Sequence, residues 1–143
     1  MIRNPNATRR WQHLLEPLSG YLALAERLYT NGQVWAKGRN FGPPGDDARP
    51  VRWIVERLVQ DWGRGASWCP GARDHPQEAH HLKLDISKAR QRLCWQPKWP
   101  LAKALERSAG WRRSWLQDED RRSVTLGQIA AFCLTPHTST RGA

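Results

Sequence analysis

Twice in the first half of this 143-residue chain the apolar residues fall at helical spacing, and each stretch is opened by a proline and closed by a glycine. Between Pro17 and Asn31 they stand at Leu18, Tyr21, Leu22, Ala25, Leu28 and Tyr29, the i, i+3, i+4, i+7 recurrence of a helix with one buried face. Pro17 suits a first helical turn, where a missing N–H costs no bond, and Asn31-Gly32 supplies the stop. Pro50 opens the second helix, in which Val51, Ile54, Val55, Leu58, Val59 and Trp62 share a stripe before Gly63 and Gly65 end it. Each helix therefore has a face that must find cover.

The intervening Val34 to Phe41 reads as a short strand, and Gly42-Pro43-Pro44-Gly45-Asp46-Asp47 as a loop, because prolines and glycines interrupt a regular ladder. A second loop spans Cys69 to Gln77. Leu82 and Leu84 then alternate with Lys83 and Asp85 as in a half-buried strand, and Ser87 is placed to cap a short helix running through Leu93. Trp95-Gln96-Pro97-Lys98-Trp99-Pro100 is an extended connector, since each residue before a proline is pushed from helical geometry. Leu101, Leu105, Ser108, Trp111 or Arg112, and Trp115 mark a third long helix; Leu126, Ile129, Ala130 and Cys133 mark a last one. The polar residues after Thr135 have nothing to bury and read as a disordered tail. Nine tryptophans are many for this length, and those on or beside the stripes, Trp53, Trp62, Trp111 and Trp115, are expected to close a small core.

One modest domain is the default at this length. No run of 18 apolar residues occurs and Met1-Ile2-Arg3-Asn4-Pro5 lacks the apolar core of a signal peptide, which points to the cytoplasm. Cys69, Cys94 and Cys133 are odd in number and outside any Cys-x-x-Cys pattern, so they are expected to be reduced thiols. His80 and His81, adjacent on an expected strand, point to opposite faces and are poorly placed to share a metal ion. The net charge of +10 is spread, with ten Lys/Arg against six Asp/Glu in residues 1 to 71 and thirteen against seven in 72 to 143. That is a solvated basic surface, without the tail or motif that would single out nucleic acid as partner.

Three stretches carry a more specific signal: Arg9-Arg10-Trp11-Gln12-His13-Leu14-Leu15-Glu16-Pro17-Leu18-Ser19-Gly20-Tyr21-Leu22, then Arg39-Asn40-Phe41-Gly42-Pro43, then Leu84-Asp85-Ile86-Ser87-Lys88 followed by Leu93-Cys94-Trp95-Gln96-Pro97-Lys98-Trp99. Together they resemble the extended short-chain dehydrogenases/reductases that act on nucleotide sugars, in particular the CDP-glucose 4,6-dehydratase branch. The resemblance runs through nearly the whole chain. It implies an α/β fold: the C-terminal part of an extended Rossmann-type nucleotide-sugar dehydratase, mainly helices with a few short strands, with the N-terminal dinucleotide-binding half absent. Residues 1–49 would be the last strand-helix-strand segment of the dinucleotide-binding domain, 50–134 the substrate-binding domain, and 135–143 the tail.

Enzymes of this kind oxidise the sugar at C4 with a tightly held NAD, eliminate water across C5 and C6, and return the hydride. The cycle needs a glycine-rich turn between a strand and a helix for the dinucleotide, and a Tyr-x-x-x-Lys pair to take the C4 hydroxyl proton. Neither is found: Tyr21 is followed four residues on by Ala25, Tyr29 by Gln33, and Gly63-Arg64-Gly65 lacks a third glycine. No NAD binding or turnover is therefore expected of the chain alone. The substrate side remains. The resemblance assigns Arg9 to the pyrophosphate of a CDP-sugar, with a second basic group from the loop holding Arg73 or His75, and it sets His13 at the seam between domains. Asp85 and Lys88 recur at a strand-to-helix turn, where capping explains them.

Four positions depart from that family's pattern: Arg10 replaces a proline, Arg39 an aromatic, Cys94 the glycine before Trp-x-Pro, and Arg112 a tyrosine. If the site of Cys94 requires positive φ, the change adds strain of about 1–3 kcal/mol. Five or six apolar side chains deprived of the large sheet would forfeit roughly 1.5–3 kcal/mol each, comparable to the whole stability of a domain. The first fifty residues are thus expected to need the missing half or a homodimer mate. Two other readings compete, a stand-alone module for a nucleotide diphosphate and a basic nucleic-acid binder.

Overall fold

Leu15–Asn31 and Val51–Trp62 form helices α1 and α2 in a computed structural model that describes residues 1–43, 47–63, 65–71 and 84–136. The glycine stops are met by geometry. Gly32 follows α1 at φ 45° with its N–H returned to the Leu28 carbonyl, and Gly63 follows α2 at φ 89° with its N–H on Val59. Ahead of α1, strand β1 (Thr8–Arg10) pairs antiparallel with β2 (Ala48–Pro50), in a register that sets Thr8 opposite Pro50, Arg9 opposite Arg49 and Arg10 opposite Ala48. Pro50 ends this ribbon and leads directly into α2, whose first N–H groups are taken by backbone carbonyls, Val51 by Ala7 and Arg52 by Pro5.

The second half holds α3 (Ser87–Leu93), α4 (Leu101–Leu116) and α5 (Arg121–Leu134). Pro100 precedes α4 in extended geometry, and Asp120 caps α5 by accepting from the Arg122 N–H and the Ser123 hydroxyl. Helix α2 packs on α4, and α4 on α5. Two small apolar clusters result. One joins Phe41, Ala89 and Trp95 with Leu24, Ile86 and Leu93; the other joins Ile54, Leu101 and Leu105 with Trp11 and Leu58.

Several expectations are corrected. Val34 to Phe41 is not a strand: Gly32–Trp35 is a turn of 3-10 helix and the following residues are irregular. Local bonds occupy the groups that a ladder would use, with Ala36 N–H on Gln33, Lys37 N–H on Trp35, and the Arg39 guanidinium on the carbonyls of Trp35 and Lys37. Leu84 and Asp85 are likewise irregular, while Leu82 and Lys83, with His80 and His81, lie outside the described residues. Ser87 is the first residue of α3 and not its cap; the Asp85 carboxylate accepts from the Ser87 N–H at 2.8 Å instead. Among the tryptophans, Trp53 and Trp115 are 37% and 40% exposed, with Arg49 stacked over the first and Arg112 and Arg121 over the second. The buried rings are Trp95 and Trp99 of the connector. Ile54 and Leu58 already fill the face that α2 turns inward, leaving Trp53 at its margin.

Helix α1 buries a face other than its apolar stripe. Glu16 and Gly20 are its buried residues, while Tyr21, Leu22 and Tyr29 are 57%, 72% and 94% exposed. Gly20 is required because the Phe41 ring lies directly on it, so that a Cβ there would enter the ring. Gly42 likewise leaves room for the Leu84 side chain. Among the described residues no helix is long and apolar enough to cross a membrane.

Cys94, between α3 and the connector, adopts φ 52°, ψ 23°, the left-handed region, and its N-terminal neighbour Leu93 ends α3 there. An L-residue pays about 1–2 kcal/mol in that region, which glycine avoids at some entropic cost in the unfolded chain. Because the Cys94 side chain is exposed, little packing is lost by removing it. Cys94→Gly is expected to raise unfolding stability by about 0.5–1 kcal/mol in a urea titration, while Cys94→Ala stays within about 0.5 kcal/mol of the parent.

Candidate functional site

Between Pro97 and Pro100 only two residues, Lys98 and Trp99, carry a backbone N–H, and neither a helix nor a strand is there to receive it. Glu16, in the first turn of α1, receives both. Its Oε1 accepts from Trp99 N–H at 2.7 Å and Lys98 N–H at 3.1 Å, and Oε2 accepts from Lys98 N–H at 3.0 Å. The carboxyl is wholly buried. Burial raises its pKa above the ordinary value, against the opposing pull of the Trp99 and Lys98 backbone donors and the Lys98 ammonium. Ser19, one turn along, accepts from the Trp95 indole N–H at 2.9 Å. The connector is therefore bolted to one face of α1 at both its tryptophans.

His13 stands just ahead. Its Nδ1 accepts from the Leu15 N–H at 3.2 Å and its ring meets Trp99 edge-on at 4.9 Å. Burial lowers its pKa, the Gln128 side chain pulls the other way, and the Arg107 charge lowers it further, so the imidazole is neutral at pH 7. It lines a cleft of about 340 Å³ with Leu14, Leu15, Trp111 and Ile129. The polar groups around that cleft are spent on the protein: Gln128 donates to the Arg107 carbonyl, Trp111 to Thr125, and Ser108 to Ala104. His13 is thus a packed, hydrogen-bonded residue, and the Ser108 and Thr125 hydroxyls of the same cleft donate to main-chain carbonyls of their own helices.

Arg9 lies on β1, four residues before His13 in sequence. Register pairs it with Arg49, and residues directly opposite in an antiparallel ladder project from the same face. Each guanidinium donates to the carbonyl just before its own residue, Arg9 to Thr8 and Arg49 to Ala48, both at 3.1 Å. Arg49 also stacks over the Trp53 ring at 5.6 Å, and its carbonyl accepts from the Trp11 indole N–H at 3.2 Å. Two arginines thus belong to one face of the ribbon, and the arginine fork matches phosphate oxygens in geometry.

The arrangement does not fit a dinucleotide. The passage from β2 into α2 contains no glycine, and the N–H groups that would face a pyrophosphate already bond Ala7 and Pro5. Among the described residues no three His, Cys, Asp or Glu side chains form a metal-binding group. Cys69, Cys94 and Cys133 are free and exposed.

Of the residues singled out from sequence, Arg9 sits on the ribbon and His13 in the core, while Arg73 and His75 lie outside the described residues. Glu16 and Arg49 were missed. A lone carboxylate inside Leu14-Leu15-Glu16-Pro17-Leu18 was the signal for the first. Arg49 offered none, because a three-residue strand is too short to show a period.

No family model matches the chain. Among curated proteins, it is 50% identical over 132 residues to a CDP-glucose 4,6-dehydratase from Salmonella typhimurium, an alignment that covers 92% of this chain and 37% of that enzyme. It is 30% identical over 113 residues to UDP-glucuronic acid decarboxylase 1 of Arabidopsis thaliana, covering 79% of this chain and 24% of that protein. The chain thus spans about a third or less of the length of these relatives.

Glu16→Ala strips two backbone N–H groups of their acceptor, at about 1–3 kcal/mol each, and is expected to lower unfolding stability by about 2–5 kcal/mol in denaturant. A carboxyl whose folded pKa is raised stabilises most below its ordinary value of 4.5 and loses that contribution as pH rises through the folded value. Glu16→Gln removes this term. The parent's stability, measured from pH 4 upward, should therefore fall relative to that of Glu16→Gln, and parallel profiles would refute a raised Glu16.

Proposed function

We propose that this chain, a relative of CDP-glucose 4,6-dehydratase over nine-tenths of its length, is the substrate-side, C-terminal portion of such an enzyme. In that role it grips the diphosphate of a CDP-sugar through Arg9, with Arg49 beside it, and performs no redox chemistry by itself. The observation that carries the proposal is the 50% identity over 132 of the 143 residues. NAD, which would supply the transient oxidation at C4, would on this reading be held by a polypeptide segment other than the described residues, in keeping with the occupied N–H groups at the start of α2.

The exposed Tyr21, Leu22 and Tyr29 of α1 support the same division of labour. They are the apolar face of a helix whose other side is already packed, and they suit contact with a dinucleotide-binding half or with a second copy. Residues 1–49 would then belong with that half, and 50–134 would form the substrate domain. A cytoplasmic setting agrees with the sugar-nucleotide substrate and the three free thiols. The competing reading as a nucleic-acid binder is disfavoured by Arg side chains stacked over Trp35, Trp53, Trp62, Trp68 and Trp115, which occupy ring faces that bases would use.

Calorimetric titration with CDP and CDP-glucose provides the test. Both should bind saturably, cytidine much more weakly, and Arg9→Ala should reduce affinity about tenfold to a hundredfold, the worth of one charged hydrogen-bonded fork. Failure of CDP-glucose to bind, or conversion of CDP-glucose by the pure chain with added NAD alone, would overturn the proposal.

A further inference from the structure

Arg10, the last residue of β1, ties the ribbon to two distant parts of the chain. Neighbouring residues of a strand point to opposite faces, so Arg10 turns away from the side of the ribbon that carries Arg9 and Arg49. Its Nη1 donates to the carbonyls of Pro43 and Leu84, both at 3.3 Å, although these lie 33 and 74 residues away in sequence. Two further bonds reinforce the junction, from the Asn40 amide to the Asp85 carbonyl and from the Gln12 amide to the Phe41 carbonyl. Leu84 packs closely on Gly42, so a side chain there would require the Leu84 methyl to shift.

The junction matters because of where Pro43 leads. Four residues on, the chain reaches Asp47 and enters β2, which delivers Arg49 opposite Arg9. A two-stranded ribbon of three residues per strand has little register specificity of its own, and a one-residue slip would turn Arg49 to the other face. We infer that Arg10 is a positioning residue for the diphosphate site: by pinning Pro43 and Leu84 to β1 it fixes the entry to β2 and holds Arg49 in register with Arg9. This inference rests on the proposed function, and it concerns a residue that does not itself touch the ligand.

CDP affinity of the full chain, measured for the parent, Arg10→Ala and Arg10→Lys at low and at about 0.5 M salt, separates the possibilities. A charge acting only at a distance loses its effect once the Debye length falls to a few ångströms, whereas a lost register does not recover with salt. Arg10→Ala should bind CDP about five- to tenfold more weakly at both salt concentrations, as expected for about one lost hydrogen bond, and Arg10→Lys should restore most of the affinity. Amide exchange read without ligand should quicken at Ala48 and Arg49 in Arg10→Ala while α4 and α5 keep their protection. Unchanged exchange at these residues, a loss of affinity that high salt abolishes, or parental affinity in Arg10→Ala would each overturn the positioning role and leave the diphosphate reading intact. Absence of CDP binding by the parent would overturn that reading and this role with it, whatever the exchange shows.

Discussion

A single buried carboxylate holds the two parts of this structure together. Glu16 accepts the backbone N–H groups of Lys98 and Trp99, the two donors trapped between Pro97 and Pro100, and so determines where the connector crosses α1. Everything nearby follows from that crossing. Trp99 is set against His13 and Phe132, Trp95 against Phe41 and Ser19, and α4 starts where the connector ends. An apolar residue at position 16 would leave these donors buried without acceptors, the arrangement that proteins avoid most consistently. The cost is a carboxyl whose charged form is disfavoured by burial, a cost the backbone donors offset in part.

The same crossing explains why α1 turns its less apolar side inward. The connector and Phe41 bring their own large rings, so the receiving surface consists of Glu16, Ser19 and Gly20, with Leu24 at its edge. Leu22 and Tyr29 are left facing outward. Helix α1 thus has one packed side, which receives aromatic rings, and one exposed apolar side.

Long periodic elements were legible in the sequence, as was the short helix α3, whereas the short extended segments were read less well. Helices α1, α2, α4 and α5 follow from apolar spacing and from Pro and Gly punctuation, and the positive φ at position 94 follows from a glycine that the family pattern places there. The strand expected at Val34 to Phe41 failed because alternation of side chains says nothing about whether a neighbouring strand exists; local turns and Arg39 take up those backbone groups instead. The candidate site was half legible. Arg9 could be carried over residue by residue, but Arg49 reaches it through a three-residue pairing that closes 40 residues later, and long-range pairing leaves no local trace. Trp53 and Trp115 were misjudged because a stripe marks the apolar side of a helix without saying how deep the neighbouring layer is.

The central claim is that a paired-arginine ribbon, braced by Arg10 and Trp11 and carried on the Glu16-locked core, receives the diphosphate of a sugar nucleotide. Nitrogen-15 NMR of the chain titrated with CDP-glucose tests this most directly, because the guanidinium Nε–H resonances of Arg9 and Arg49 report contact with phosphate oxygens individually. The account predicts that both resonances shift in a saturable manner together with the amides of Thr8–Arg10 and Ala48–Pro50, while those of α5 stay in place. Shifts confined to the cleft around His13 and Trp111, or none at all, would contradict it.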